Sequence, residues 1–179
     1  MKKLYISMLV AAMAFTAACE KDTAVIFQDK STAEQANKTG WTATADSETP
    51  EGWEDTGFAS ALLDGNVNTI WHTNYDDGDY PGYPHWVNID MKKDLHLISV
   101  NVTARQNNGS GMTKFKLEGS NDGTKWFVLG ENLVFNPATK TPQTYPVSSS
   151  KATRYLKLTA LEGKAKHTHL AEIDVVVAK

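Results

Sequence analysis

Between Trp41 and the C-terminus, short stretches of alternating apolar and polar residues are broken repeatedly by clusters of Gly, Pro, Asn, Asp and Ser. Successive side chains of an extended strand point to opposite faces, so each such stretch buries one face and wets the other. Four stretches carry the pattern. Ile98, Val100, Val102 and Ala104 share one face of a strand whose other face holds Ser99, Asn101, Thr103 and Arg105. Phe115 and Leu117 alternate with lysines and Glu118; Leu156, Leu158 and Ala160 line one side of RYLKLTA; Ile173, Val175 and Val177 line one side of EIDVVV. Asp122-Gly123, inside SNDGTKW, is a hairpin signal between two such stretches. Short strands punctuated this way predict an all-β sandwich or barrel with little helix.

The start of the chain follows a different pattern. Lys2 and Lys3 precede an apolar run, Leu4 to Ala18, that is short for a bilayer span and ends in small residues before Cys19, the only cysteine. Residues 1–18 therefore read as an export signal. A single cysteine cannot close an internal disulfide. The segment TAAC resembles a bacterial lipobox, with Cys19 as the lipidated first residue of the mature protein, although Thr16 departs from the usual Leu or Val. A free exported thiol is the alternative. The following Glu20, Lys21 and Asp22 resemble the signal that sends lipoproteins to the outer face of the outer membrane. Lipidation implies a chain anchored to the membrane at the cell surface without spanning it. Residues 19–37, mostly polar and without sustained period, read as a flexible tether, which leaves 38–179 as one domain.

Composition narrows the partners. The chain has 179 residues, of which 41% are hydrophobic and 22% charged, the profile of an ordinary globular domain. A formal charge of -3 without Lys/Arg clusters gives no footprint for a polyanion, which excludes nucleic acid as a natural partner.

The succession LLDGNVNTIWHT, PHWVNIDM, SNDGTKW, RYLKL and LAEIDV resembles the discoidin or F5/8 type C domain, in particular its bacterial relatives, the family 32 carbohydrate-binding modules. The resemblance runs from about Trp41 to Val177 and implies a jelly-roll β-sandwich, in agreement with the strand pattern. It also implies a glycan-binding module, with galactose-type sugars favoured, working beside other surface glycan-utilisation proteins.

Asp64, Asn66 and Asn68 open like an EF-hand loop, but Thr69 stands where that loop needs glycine and Tyr75 where it needs a bidentate glutamate. Calcium can be held by other sets of six to eight oxygens. The resemblance implies a structural calcium ion held by backbone oxygens of Ala61, Asn66, Thr69 and Ala171, the Thr69 hydroxyl, and the carboxylates of Asp64 and Glu172. Spacing alone allows the plainer alternative, in which Asp64 caps a turn and Glu172 is solvated.

For the sugar, the resemblance implies His72, Tyr75 three residues later, and Arg105 with the amides Asn107 and Asn108 after Gln106; Asp55 stands near an acidic position some relatives use. A mutual polar network of His72 and Arg105 is the alternative. The loop EGKAKHTH before Ala171-Glu172 lacks the Phe or Trp that relatives often place there, and Tyr80, Tyr83 and His85 are candidates for the missing platform. Trp71 reads as core, Trp86 and Trp126 as packing residues, and Arg154 as structural. His167 and His169 could face one side of a strand as zinc ligands, with no third ligand marked nearby. There is no G-x-S-x-G elbow, glycine-rich phosphate loop or H-E-x-x-H, so a non-enzymatic module is expected. An interaction module for protein or phospholipid, without sugar affinity, is the alternative function.

Overall fold

The computed structural model describes residues 32–54, 56–75 and 82–179. The export signal, Cys19, most of the tether, Asp55 and Tyr80 lie outside the described residues.

Among the described residues, two antiparallel sheets face one another. The larger has the order β2 (Thr42–Ala45), β4 (His85–Leu95), β9 (Thr153–Gly163), β6 (Met112–Ser120) and β7 (Phe127–Val134). The smaller has β1 (Ala33–Gln35), β11 (Glu172–Ala178), β5 (Leu97–Thr103) and β8 (Gln143–Pro146). A two-residue ladder joins β3 (Trp71–His72) to β10 (His169–Leu170). The alternation predicts an all-β sandwich or barrel, and the sandwich is the outcome, of the jelly-roll type that the resemblance implies. Among the described residues helix is confined to short 3-10 turns such as Ala59–Leu63, and no described helix is long and apolar enough to cross a membrane.

The core forms where the alternating faces meet. Phe115, Leu117, Leu156, Leu158, Ala160, Ile173, Val175 and Val177 are all buried, as their spacing requires. Trp71 is fully buried, and its indole N–H donates to the Ser47 carbonyl at 3.0 Å, so its single polar atom is satisfied. Ile98 departs from the expected face. In β11 consecutive residues Val176 and Val177 pair with Ser99 and Leu97, so Ile98 is the extra residue of a bulge and Leu97 enters the core in its place. The hairpin at Asp122-Gly123 joins β6 to β7, with Gly123 at φ 73° and Asp122 Oδ1 accepting from the N–H groups of Thr124 and Lys125. Arg154 is structural: its Nε and Nη2 donate to the two oxygens of Asp90 at 3.0 and 3.1 Å.

One boundary differs from the sequence reading. Ala33–Gln35, inside the segment read as tether, pairs with Val176–Ala178 as an edge strand, and Lys38 reaches Glu172 and Asp174. A three-residue polar edge strand buries too little to leave an alternating signature.

Candidate functional site

The site is built at one end of the sandwich by the segment from Asp64 to Tyr75. Gly65, at φ 78°, takes the left-handed backbone that lets the chain reverse after Asp64. Asp64 Oδ1 accepts from the Asn66 N–H at 2.8 Å, and the Thr69 N–H donates to the Asn66 carbonyl at 3.0 Å. The Thr69 hydroxyl lies 2.8 Å from Asp64 Oδ2 and 2.6 Å from the Asn66 carbonyl, so oxygens converge inside the turn. Glu172, at the start of β11, is 3% exposed and its carboxyl meets that of Asp64. Lys38 holds Glu172 Oε2 at 2.5 Å, whereas the buried Oε1 has no hydrogen-bond partner. Burial, with Asp64 adding to it and Lys38 opposing, pushes the Glu172 carboxyl up to about 7. Two carboxyls in contact, one with an orphaned oxygen, beside converging carbonyl and hydroxyl oxygens, form a donor set that suits a hard divalent cation. Among the described residues no group of three His, Cys, Asp or Glu comes together as a metal site, so the other donors to any such ion would be backbone and hydroxyl oxygens.

Beyond Thr69 the chain passes Trp71 into the core and reaches a surface cleft of about 590 Å³. Trp53, Glu54, Tyr75, Arg105 and Asn107 are among the residues that line it. The Trp53 and Tyr75 rings meet edge to face at 5.7 Å, and Trp53 is 48% exposed. Arg105 is fixed from two sides: Nε donates to Asn107 Oδ1 at 2.7 Å and Nη1 to Glu54 Oε1 at 3.4 Å. Burial and the neighbouring Glu54 carboxylate raise the Tyr75 hydroxyl above its ordinary pKa, so it stays a neutral donor. The cleft thus offers an aromatic corner, a cation and a carboxylate within one small concavity.

The structure brings Tyr75, Arg105 and Asn107 together as the sequence suggests, and departs from it elsewhere. His72 is 4% exposed and stands behind Tyr75, with ring centroids 4.7 Å apart, instead of on the cleft wall. Its Nδ1 donates to the Thr73 carbonyl at 2.6 Å, and burial lowers its pKa, so the ring is neutral with Nε2 free of the proton. Asn108 turns away: its Oδ1 accepts from the N–H and hydroxyl of Ser110, which makes it a turn residue. Asp55 lies outside the described residues. Trp53 and Glu54, which sequence reasoning missed, supply the second aromatic and the acid. Their signal was a tryptophan flanked by acids in EGWED, a stretch without strand period.

Tyr83 and His85 do not make a platform. The Tyr83 hydroxyl donates to the His167 carbonyl at 3.3 Å, and its ring packs edge-on against His85, which is buried. Both nitrogens of His85 face acceptors, Nδ1 at 2.7 Å from Asp46 Oδ2 and Nε2 at 2.7 Å from the Lys166 carbonyl. Both contacts are hydrogen bonds only in the imidazolium. Burial works against the charge, but Asp46 and the Lys166 carbonyl outweigh it and the pKa is raised. Stability from His85 is therefore complete below its ordinary pKa and is lost as pH rises through the raised folded value. Between pH 6 and 9 the wild type should lose about 1 kcal/mol, roughly one hydrogen bond, that His85→Gln does not lose. Thermal melts of the two proteins across that range measure the difference, and parallel pH profiles would contradict it. His167 and His169 lie near His72, at ring distances of 5.4 and 5.2 Å, but with Nε2 of His169 against the Ser110 hydroxyl at 3.3 Å they form no zinc site.

The F5/8 type C domain model matches residues 42–173. The sialidase of Micromonospora viridifaciens is 30% identical over 134 residues, which is 74% of this chain and 20% of the sialidase. The galactose oxidase of Gibberella zeae is 28% identical over 148 residues, 79% of this chain and again 20% of that protein. The chain thus spans about a fifth of the length of these relatives. Among solved structures, a family 32 carbohydrate-binding module of Clostridium perfringens in complex with GalNAc-β-1,3-galactose superposes with a TM-score of 0.70 at 26% identity, covering 79% of this chain and 99% of that one. The family 32 module of Clostridium perfringens NanJ, in complex with galactose, gives 0.69 at 26% identity, covering 80% and 98%. These structural relatives are carbohydrate-binding modules matched over nearly their whole length, whereas the enzymes carry the matching part as a minor share of their chains. On the matched model, the ordered motifs and the sandwich together, the chain belongs to the F5/8 type C domain family and resembles its family 32 carbohydrate-binding modules.

Proposed function

We propose that this chain is a non-catalytic glycan-binding module that takes galactose-type sugars in the cleft between Trp53, Tyr75 and Arg105. The observation that carries this reading is the aromatic corner set against a fixed arginine and carboxylate. Pyranose rings have an apolar C–H face and a polar rim, so an aromatic wall packs one while charged donors and acceptors take the other. Arg105 donates to sugar hydroxyls, Glu54 accepts from them, and Tyr75 with Trp53 covers the C–H face. His72 supports Tyr75 from behind. Two relatives of the same fold hold galactose or a galactose-containing disaccharide, which supports the choice of sugar.

A calcium ion between the Asp64 turn and Glu172 belongs to this proposal. Ala61, Asn66, Thr69 and Ala171 would supply backbone oxygens, Thr69 its hydroxyl, and Asp64 and Glu172 their carboxylates. When bound, the ion neutralises the paired carboxyls and ties the turn that positions Tyr75 to the last strand. Cys19 is proposed as the lipid anchor, displaying the module at the outer surface of the outer membrane beside other glycan-utilisation proteins. A single shallow module binds on the order of millimolar, about -4 kcal/mol, so many copies on one surface would gain by avidity.

A glycan array probed with the protein tests the reading, with galactosides as the expected signal. Trp53→Ala should weaken that signal about tenfold, the contribution of one aromatic contact, with the melting temperature unchanged. The phospholipid alternative has one observation in its favour: Phe58 and Val67 are 44% and 41% exposed in the same loops. Binding to phosphatidylserine vesicles, with no glycan signal, would decide for it.

A further inference from the structure

In the smaller sheet β5 and β8 run antiparallel, with Ser99 opposite Pro146 and Val102 opposite Gln143. Carried three residues past that last pair, the same register sets Arg105 opposite Lys140. There a side-chain clasp takes over from the ladder. The Lys140 ammonium donates to the carbonyls of Arg105 at 2.8 Å and Asn108 at 2.9 Å, and to that of Pro137 at 3.4 Å. Among the described residues Lys140 has no carboxylate partner, so carbonyl oxygens alone take the donors of this ammonium. In return, the Gln106 side-chain amide donates to the Lys140 carbonyl at 3.2 Å and to the Ala104 carbonyl at 2.8 Å. The base of the clasp is itself fixed. Asn136 Oδ1 accepts from the Ala138 N–H at 3.0 Å, and the Gln143 side chain accepts from the Asn136 N–H at 3.0 Å and donates to its carbonyl at 2.9 Å.

We propose, on the reading that the cleft takes a galactoside, that Lys140 is a positioning residue for that site, which sets sugar affinity by closing the stretch from Arg105 to Asn108 before the ligand arrives. Lys140 is not among the residues that line the cleft, whereas Arg105, Gln106 and Asn107 are. Its ammonium ties the first and last carbonyls of the stretch to one point. Asn107 stands between them, and its Oδ1 accepts from Arg105 Nε at 2.7 Å, the contact that aims the guanidinium. A stretch beyond the end of a ladder is free to take many backbone states, and a ligand that had to order it would bind less tightly. The clasp orders it in the free protein, so Lys140 acts on the sugar only through Arg105 and Asn107.

Lys140→Met removes the ammonium and keeps the apolar stem. Titrated with galactose, the variant should bind about fivefold more weakly, the share of one charge-assisted hydrogen bond at a partly exposed position, with its melting temperature little changed. Solvent exchange of the Arg105 Nε–H, followed by NMR without sugar, should quicken by a similar factor while the amides of β5 and β8 keep their protection. Lys164→Met is the control. It removes the same charge from the same loop, where Lys164 Nζ donates to the Gly109 carbonyl at 3.3 Å outside the tied stretch, and it should leave both readouts unchanged. Unchanged affinity or unchanged Arg105 Nε–H exchange in Lys140→Met would overturn the proposal. An equal effect of Lys164→Met would reduce it to net charge, and faster exchange throughout β5 and β8 would make Lys140 a general stabiliser; either overturns it as well. A wild type that binds galactose no better than Lys140→Met leaves the cleft reading intact and removes Lys140 from it. If the wild type binds no galactose the cleft reading falls, and the exchange of the Arg105 Nε–H still decides whether Lys140 positions that side chain.

Discussion

Adding a chelator to the protein is expected to lower its melting temperature by on the order of 10 °C. An ion present at about a thousand times its Kd stabilises the folded state by about 4 kcal/mol, and a chain of this size shifts by roughly 2–4 °C per kcal/mol. The structural reason is Glu172. Its Oε1 is buried without a partner, its carboxyl meets Asp64, and Lys38 relieves only Oε2. A cation between the carboxyls would remove both penalties at once and tie the Asp64 turn to β11. Glu172→Gln tests the assignment. Glutamine keeps the volume and lessens the repulsion with Asp64, while Lys38 keeps Asp174 at 2.8 Å. The variant should fold, and its melting temperature should no longer respond to calcium. Equal melting of the wild type with calcium and with chelator would remove the ion from the account.

Arg105→Ala should abolish binding of galactosides. Losing hydrogen bonds from a charged donor typically costs about 1.5–3 kcal/mol, against a total near -4 kcal/mol for a millimolar ligand, so the remainder falls below detection. Part of that loss comes from Glu54, which is left without its cation. Arg105→Lys should fail almost as fully. It keeps the charge and loses the planar fork that donates to Asn107 and Glu54 and, in the proposed complex, would donate to a sugar hydroxyl as well. The fold should persist in both, because the Arg105 side chain is partly exposed and its partners are loop residues. A calorimetric titration with galactose, paired with a melting curve, checks both halves.

Strands announced themselves through alternation wherever both sheets press on them, as at Phe115, Leu117, Leu156, Leu158, Ile173 and Val175. The exceptions have local causes. At Ile98 a bulge shifts the face by one residue, and the outcome depends on the pairing of β11, which is distant in sequence. At Ala33–Gln35 the strand is polar and lies at an edge. The lining of the candidate cleft was legible where a residue is fixed by its strand end, as with Tyr75 after β3 and Arg105 after β5. Asn108 lies in a turn instead of lining the cleft because an amide in a loop serves its own turn as readily as a ligand. His72 lies behind the cleft wall, since alternation could not tell that its ring would lie under Tyr75. Trp53 and Glu54 escaped because they come from a loop whose contact with Arg105 is purely tertiary.

The most direct test of the central claim is a two-dimensional NMR titration of the isotope-labelled protein with galactose. The account predicts fast-exchange shifts, saturating in the millimolar range, at the Trp53 indole N–H, the Arg105 Nε–H and the backbone amides of Tyr75 and Asn107, with the indoles of Trp86 and Trp126 unmoved by the monosaccharide. Absence of shifts at Trp53 and Arg105 at saturating galactose, or shifts confined to another face, would contradict it.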